Sequence, residues 1–171
     1  MKKLELANWL CRFKLSKYHQ DIEPYRGRED EFHQLFTPYE VIEGEGNCLL
    51  NTGIDEMWDL ITGVVSGADH IYDNAHAQIG VGDSATAADP TDTDLKAASN
   101  KTYKAMEDGF PTSTSQKATF KSSFGTSDAN YAWNEWVVKQ STSAICLNRK
   151  VESLGTKATG TWTLEVDITL S

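Results

Sequence analysis

The sequence predicts a mainly β protein: a jelly-roll-like β-sandwich with one or two short helices and an extended N-terminal arm. Three observations predict it. First, Thr161 to Ser171 alternates without a fault. Trp162, Leu164, Val166, Ile168 and Leu170 fall on one face; Thr161, Thr163, Glu165, Asp167, Thr169 and Ser171 fall on the other. Strand side chains point to opposite faces with a period of two, so this is one strand, half buried and half wet. Such a strand is not stable alone, and its apolar face demands a second layer. Second, shorter stretches of the same kind recur upstream, with turns at about eight to twelve residues, the spacing of a sandwich or barrel. Third, only two stretches carry a helical period.

The first of these is residues 3–17. Leu6, Trp9, Leu10 and Phe13 sit at i, i+3, i+4 and i+7, with Lys14 and Lys17 off that stripe, which predicts a short amphipathic helix. From Tyr18 to Gly46, Pro24, Gly27 and Pro38 interrupt any period. Yet Tyr25, Phe32, Leu35, Phe36 and Tyr39 are too many large apolar side chains for a disordered linker. The expectation is an arm that becomes ordered against a surface. The chain then divides into an arm, residues 1–45, and a sandwich, residues 46–171.

Asn51 to Val65 is the second helix. Ile54, Met57, Trp58, Ile61 and Val65 share a face, Thr52 and Asp55 mark the start, and Gly63 marks the end. Trp58 and Trp162 are expected in the core. Gln78 to Val81 is a short strand ending at Gly82 and Asp83. Ser84 to Asp94 is a polar loop, in which Thr91 and Asp94 open one helical turn. Tyr103–Met106, Gln116–Phe124, Asn130–Lys139 and Ala144–Glu152 are strands, and Gly155 to Gly160 turns into the last one. Strict alternation along Asn130–Lys139 puts Trp133 on one face and Trp136 on the other. That strand is therefore expected to be covered on both sides, by its own body or by an interface.

The net charge of −9 and a pI near 4.8 argue against nucleic-acid binding, which needs a basic surface. The charge is uneven: residues 1–28 carry seven Lys or Arg, and the remainder is strongly acidic. A basic end on an acidic body suggests an arm that reaches for an acidic surface. Cys11, Cys48 and Cys146 are far apart and form no CxxC pair, which argues for free thiols. No stretch approaches the length of a membrane span.

No chemistry-bearing motif is complete. Ile79-Gly80-Val81-Gly82 lacks the third glycine and the following helix of a dinucleotide fingerprint. Asp89, Asp92 and Asp94 lack the spacing, central Gly and terminal Glu of an EF-hand, so they read as a solvated loop with a helix N-cap. His19, His33, His70 and His76 form no HxH or HExxH pattern. Glu135, between two tryptophans, is expected to pair with Arg149 or Lys150 on a neighbouring strand. Neither a cofactor, a metal site nor a catalytic group is expected.

Several stretches together resemble a family of small β-sandwich structural proteins of tailed phages and prophages. They are GNCLLNTGIDEMWDLITG (Gly46 to Gly63), IGVGDSATAA (Ile79 to Ala88), ATFKSSFG, ANYAWNEW and the closing LNRKVESLGTKATGTWTLEVDITLS, and they span about residues 46–171. The resemblance implies a virion structural protein, not an enzyme, assembled in the host cytoplasm. Its partners would be the major capsid protein or other virion subunits, and it would form a homo-oligomer such as a trimer. The leading expectation is a capsid decoration or cement protein. Its arm would lie across neighbouring subunits and stabilise their seams through Leu6, Trp9, Leu10, Arg12, Phe13, Lys14, Lys17, Phe32 and Phe36. The alternatives are a tail, baseplate or fibre-attachment subunit, and a glycan-binding module presenting Trp133 or Trp136 to a sugar ring.

Overall fold

The closing strand β10 (Thr161–Leu170) lies in the middle of a sheet, between β1 (Trp9–Tyr18) and β7 (Lys117–Phe124). The structure, a computed structural model, describes residues 8–171. β2 (Glu40–Glu45) and β6 (Thr112–Thr114) complete this first sheet, in the order β2-β1-β10-β7-β6. The second sheet contains β3 (Cys48–Leu49), β9 (Cys146–Thr156), β8 (Ala132–Gln140), β4 (Ala77–Gly82) and β5 (Lys101–Ala105), in that spatial order. Every pairing is antiparallel. The class is the expected β-sandwich. Strands distant in the chain pair as β1 with β10, β3 with β9 and β4 with β8, whereas the adjacent β8 and β9 are consecutive.

The apolar face of β10 is buried as its alternation predicts, but the opposite face is not the wet one expected: Thr161 and Thr163 are buried too. Trp162, Leu164, Val166 and Ile168 are buried between the sheets. They meet Phe13 and Leu15 of β1, Phe120 and Phe124 of β7, and Ile79, Val81, Trp133, Trp136 and Val138 of the second sheet. Trp133 stands edge-on to both Phe124 and Trp162, with ring centroids 4.7 and 4.9 Å away. Such tilted contacts suit the aromatic quadrupole.

Three larger expectations are overturned by the structure. The helix expected over residues 3–17 is a strand from Trp9 onward. The same residues also carry a period of two, Trp9, Cys11, Phe13 and Leu15, and β10 offers a matching apolar row: Phe13 faces Val166 and Leu15 faces Leu164. Completing that row buries more apolar surface than a short helix could, and isolated helices of this length are marginal.

The arm expected over residues 1–45 is, in its described part, an integral portion of the sandwich. β2 pairs with β1 along six residues. Between them run a 3-10 turn (Glu23–Tyr25) and helix α1 (Glu29–Leu35). Tyr18, Ile22 and Phe32, with Tyr25 and Phe36 against them, form a second small core. The aromatic residues thus order this segment on its own body.

Third, Trp133 and Trp136 share a face. A register shift between Trp133 and Glu135 breaks the alternation, so both indoles enter the core and both are fully buried. The other side of β8 is covered too, by the loop between β4 and β5. No strict two-residue period can report such a shift.

Helix α2 (Asn51–Thr62) stops at Gly63 as expected. The helical turn expected near Thr91 does not form. All three cysteines are free, and burial pushes the thiols of Cys11 and Cys146 up to about 12.

Because Phe13 is a core residue, Phe13→Ala should lower stability by ~3–5 kcal/mol. Urea unfolding checks this: the midpoint should fall while the slope stays unchanged. A side chain kept for docking would show almost no effect.

Candidate interaction surface

Most polar side chains of this molecule are already answered from within. On the outer face of the second sheet, Arg149 and Glu135 are both fully buried and lie 2.7 Å apart. Arg149 also reaches Asp92 at 2.9 Å and the carbonyls of Thr86 and Ala87. Glu135 accepts hydrogen bonds from the backbone N–H groups of Lys96 and Ala97. A Cβ on Gly82 would come within 2.6 Å of the Glu135 carboxylate, so the missing side chain makes room for this contact. Glu135 does pair with Arg149, and the pair straps the polar loop onto the sheet. The loop acids are engaged separately. Asp92 pairs with Arg149 and Lys96, Asp94 with Lys139, and Asp89 with Thr91. Among the described residues no cluster has the ligands to hold a metal ion.

A second network closes the outer face of the first sheet. Glu107 is almost fully buried, 2.9 Å from His33 and 3.1 Å from Lys121, and it accepts a hydrogen bond from Ser123. A carboxylate can only accept, so His33 Nε2 donates to it; in the neutral ring Nδ1 then accepts from Tyr18 Oη at 3.1 Å. Helix α1 is clipped to the sandwich by this chain of contacts. Burial opposes ionisation of Glu107, but His33, Lys121 and Ser123 outweigh it and hold the carboxyl below its ordinary 4.5. Among the described residues no serine or cysteine side chain is hydrogen-bonded to a histidine ring.

One end of the sandwich behaves differently. Helix α2 leans on β9 through Gly53, where a Cβ would lie 2.6 Å from the Leu147 carbonyl oxygen. Glu56, buried, is tied to His70 at 2.8 Å and fixes the loop that follows. This close seat turns the rest of the apolar helix face outward. Trp58 is 61% exposed, Ile61 and Val64 are 71% exposed, and Leu170 at the end of β10 is 46% exposed. Trp58 is therefore a surface residue and not a core one. With Trp9, Leu49, Ile54 and Met57, these side chains (Val64 aside) line an apolar groove of about 360 Å³. A second hollow of about 460 Å³ adjoins it, sharing Trp9, Met57 and Leu170 and continuing over Leu60, Tyr72 and Phe120. Trp9 is steered into place by its indole N–H, which donates to Asn47 Oδ1 at 2.9 Å.

The nine residues expected to grip a partner scatter accordingly. Trp9 lines the groove. Leu10, Arg12 and Lys14 point outward from β1. Phe13 and Phe32 are inside the protein's own cores. Lys17 is buried against Glu40 and lies over the Trp162 ring. Phe36 packs on the small core, and Leu6 lies outside the described residues. The signal for the groove was present in the sequence as the apolar face of α2; its outward direction was not. No family model matches the chain, and no curated protein or solved structure matches it either.

Two outcomes follow from the networks. Glu135→Gln should cost ~3–5 kcal/mol, because Arg149 keeps its buried charge and loses its closest counter-charge; amide exchange across residues 83–100 should rise with it. Glu107, whose folded value is depressed, contributes stability above pH 4.5 that is lost as the pH falls through that folded value. Glu107→Gln should therefore unfold at lower urea than the wild type at neutral pH, and the gap should close in strong acid.

Proposed function

We propose that this protein is a structural component of a tailed-phage particle, without enzymatic activity: a capsid decoration or cement protein that fastens to neighbouring virion subunits. The resemblance over residues 46–171 supports a particle protein. The observation that carries the docking role is the uncovered apolar end built from Trp58, Ile61, Leu170 and Trp9. Large contiguous apolar patches on a soluble body mark interaction sites. Phe13 and Phe32 cannot reach across a seam, so the grip belongs to this end of the sandwich and not to an arm. A body that binds only the assembled shell shifts the equilibrium toward that shell by mass action. Trp133 and Trp136 are fully buried, which leaves a glycan-binding reading without its aromatic platform.

Ile61→Asp places a charge in the groove at an exposed position, so the variant should fold as the wild type does by circular dichroism. It should be missing from purified particles that contain the wild-type protein. Wild-type protein absent from particles, or variant incorporated at the wild-type level, would overturn the proposal. Protein recovered with tails and not with heads moves it to the tail.

A further inference from the structure

We infer that the groove beside α2 takes a basic amphipathic segment of a second protein: a short stretch of apolar side chains flanked by Lys or Arg. This rests on the groove being the docking surface proposed above, and it adds the chemistry of the occupant.

Among the described residues the groove is lined without a single charge. Its rim is acidic. Asp55 and Asp59 stand beside Trp58 on α2, one exposed and one half-exposed. Nearby Glu56 is taken by His70 and Asp73 by His76; Asp55 and Asp59 have no cationic partner among the described residues. The sequence from Asn47 to Leu95 contains nine Asp or Glu and no Lys or Arg. Among the described residues the one cation lining the adjoining hollow, Lys117, is held by Asp167 at 2.8 Å.

An apolar trough with unanswered carboxylates along one side has a defined complement. Apolar anchors enter beside Trp58, the kind of side chain that dominates interface energetics. Flanking cations meet Asp55 and Asp59, which guides encounter and penalises acidic competitors. The same charges argue against a second copy of this chain. A two-fold contact sets the same patch against itself, so the acidic rims would face one another.

The test selects a displayed library of random short peptides on the full-length protein. Enriched peptides should combine aromatic or aliphatic side chains with Lys or Arg, and Ile61→Asp should not retain them. A representative peptide should bind the Asp55→Asn, Asp59→Asn double variant about tenfold more weakly at low salt, a gap that shrinks as salt rises. Enrichment of neutral or acidic peptides, no enrichment, or indifference to the double variant would overturn the inference. So would concentration-dependent self-association abolished by Ile61→Asp, which makes a second copy the occupant. Binding that appears only after residues 1–7 are removed would make the chain's own beginning the occupant. The two proposals fail separately: if Ile61→Asp is excluded from particles while the selected peptides are not basic, the docking surface stands and the charge argument falls.

Discussion

The pairing of β1 with β10 is the constraint on which the rest of the structure depends. It runs from Trp9 opposite Leu170 to Tyr18 opposite Thr161, and sets Cys11, Phe13 and Leu15 against Ile168, Val166 and Leu164. A slip of one residue would turn each of these side chains to the solvent face, so the register is strongly specified. Because β10 also carries β7 on its other side, and β1 carries β2, four strands of the first sheet inherit their positions from this one alignment. The two strands lie at opposite ends of the chain, so the pair forms only after a long closure, which makes such topologies slow to fold.

The second sheet is organised by charge where the first is organised by apolar rows. Glu135 and Arg149 face away from the core and would stand in water if the loop between β4 and β5 did not cover them. Buried ion pairs contribute little net stability because desolvation offsets their attraction. Here the pair dictates where the loop lies, since its remaining hydrogen-bonding capacity is met by loop backbone: Lys96 and Ala97 on the carboxylate, Thr86 and Ala87 on the guanidinium.

Much of this was legible in the sequence, and the misses share one physical cause. β10 and β7 were readable because their alternation is local and uninterrupted, and α2 because its apolar face and Gly63 are local as well. The Glu135–Arg149 pair was readable because adjacent strands place opposite charges within reach. β1 was misread because Trp9, Leu10 and Phe13 satisfy a helical period while Trp9, Cys11, Phe13 and Leu15 satisfy a strand period. What decides between them is a row of partners at the far end of the chain, which no local window contains. The faces of β8 were misassigned because the register shift at Trp133 arises from its pairing with β9. Trp58 was placed in the core because an amphipathic helix shows which residues share a face and not which way that face turns. That direction is set by the contact of Gly53 with Leu147.

The candidate surface is continuous with the β1–β10 pairing. Trp9 and Leu170 are the last pair of the β1–β10 row, and they are also shared by both apolar hollows. The core does not stop at the end of the sheet; its apolar row runs one pair beyond the covered region and meets Met57 and Trp58 of α2. A partner seated there would extend the protein's own core across the junction, the character of interfaces in lasting assemblies, which resemble a domain interior cut in half. Binding at that end and folding of the first sheet would then draw on the same apolar row, so an occupied groove would also hold the end of the β1–β10 pair in register.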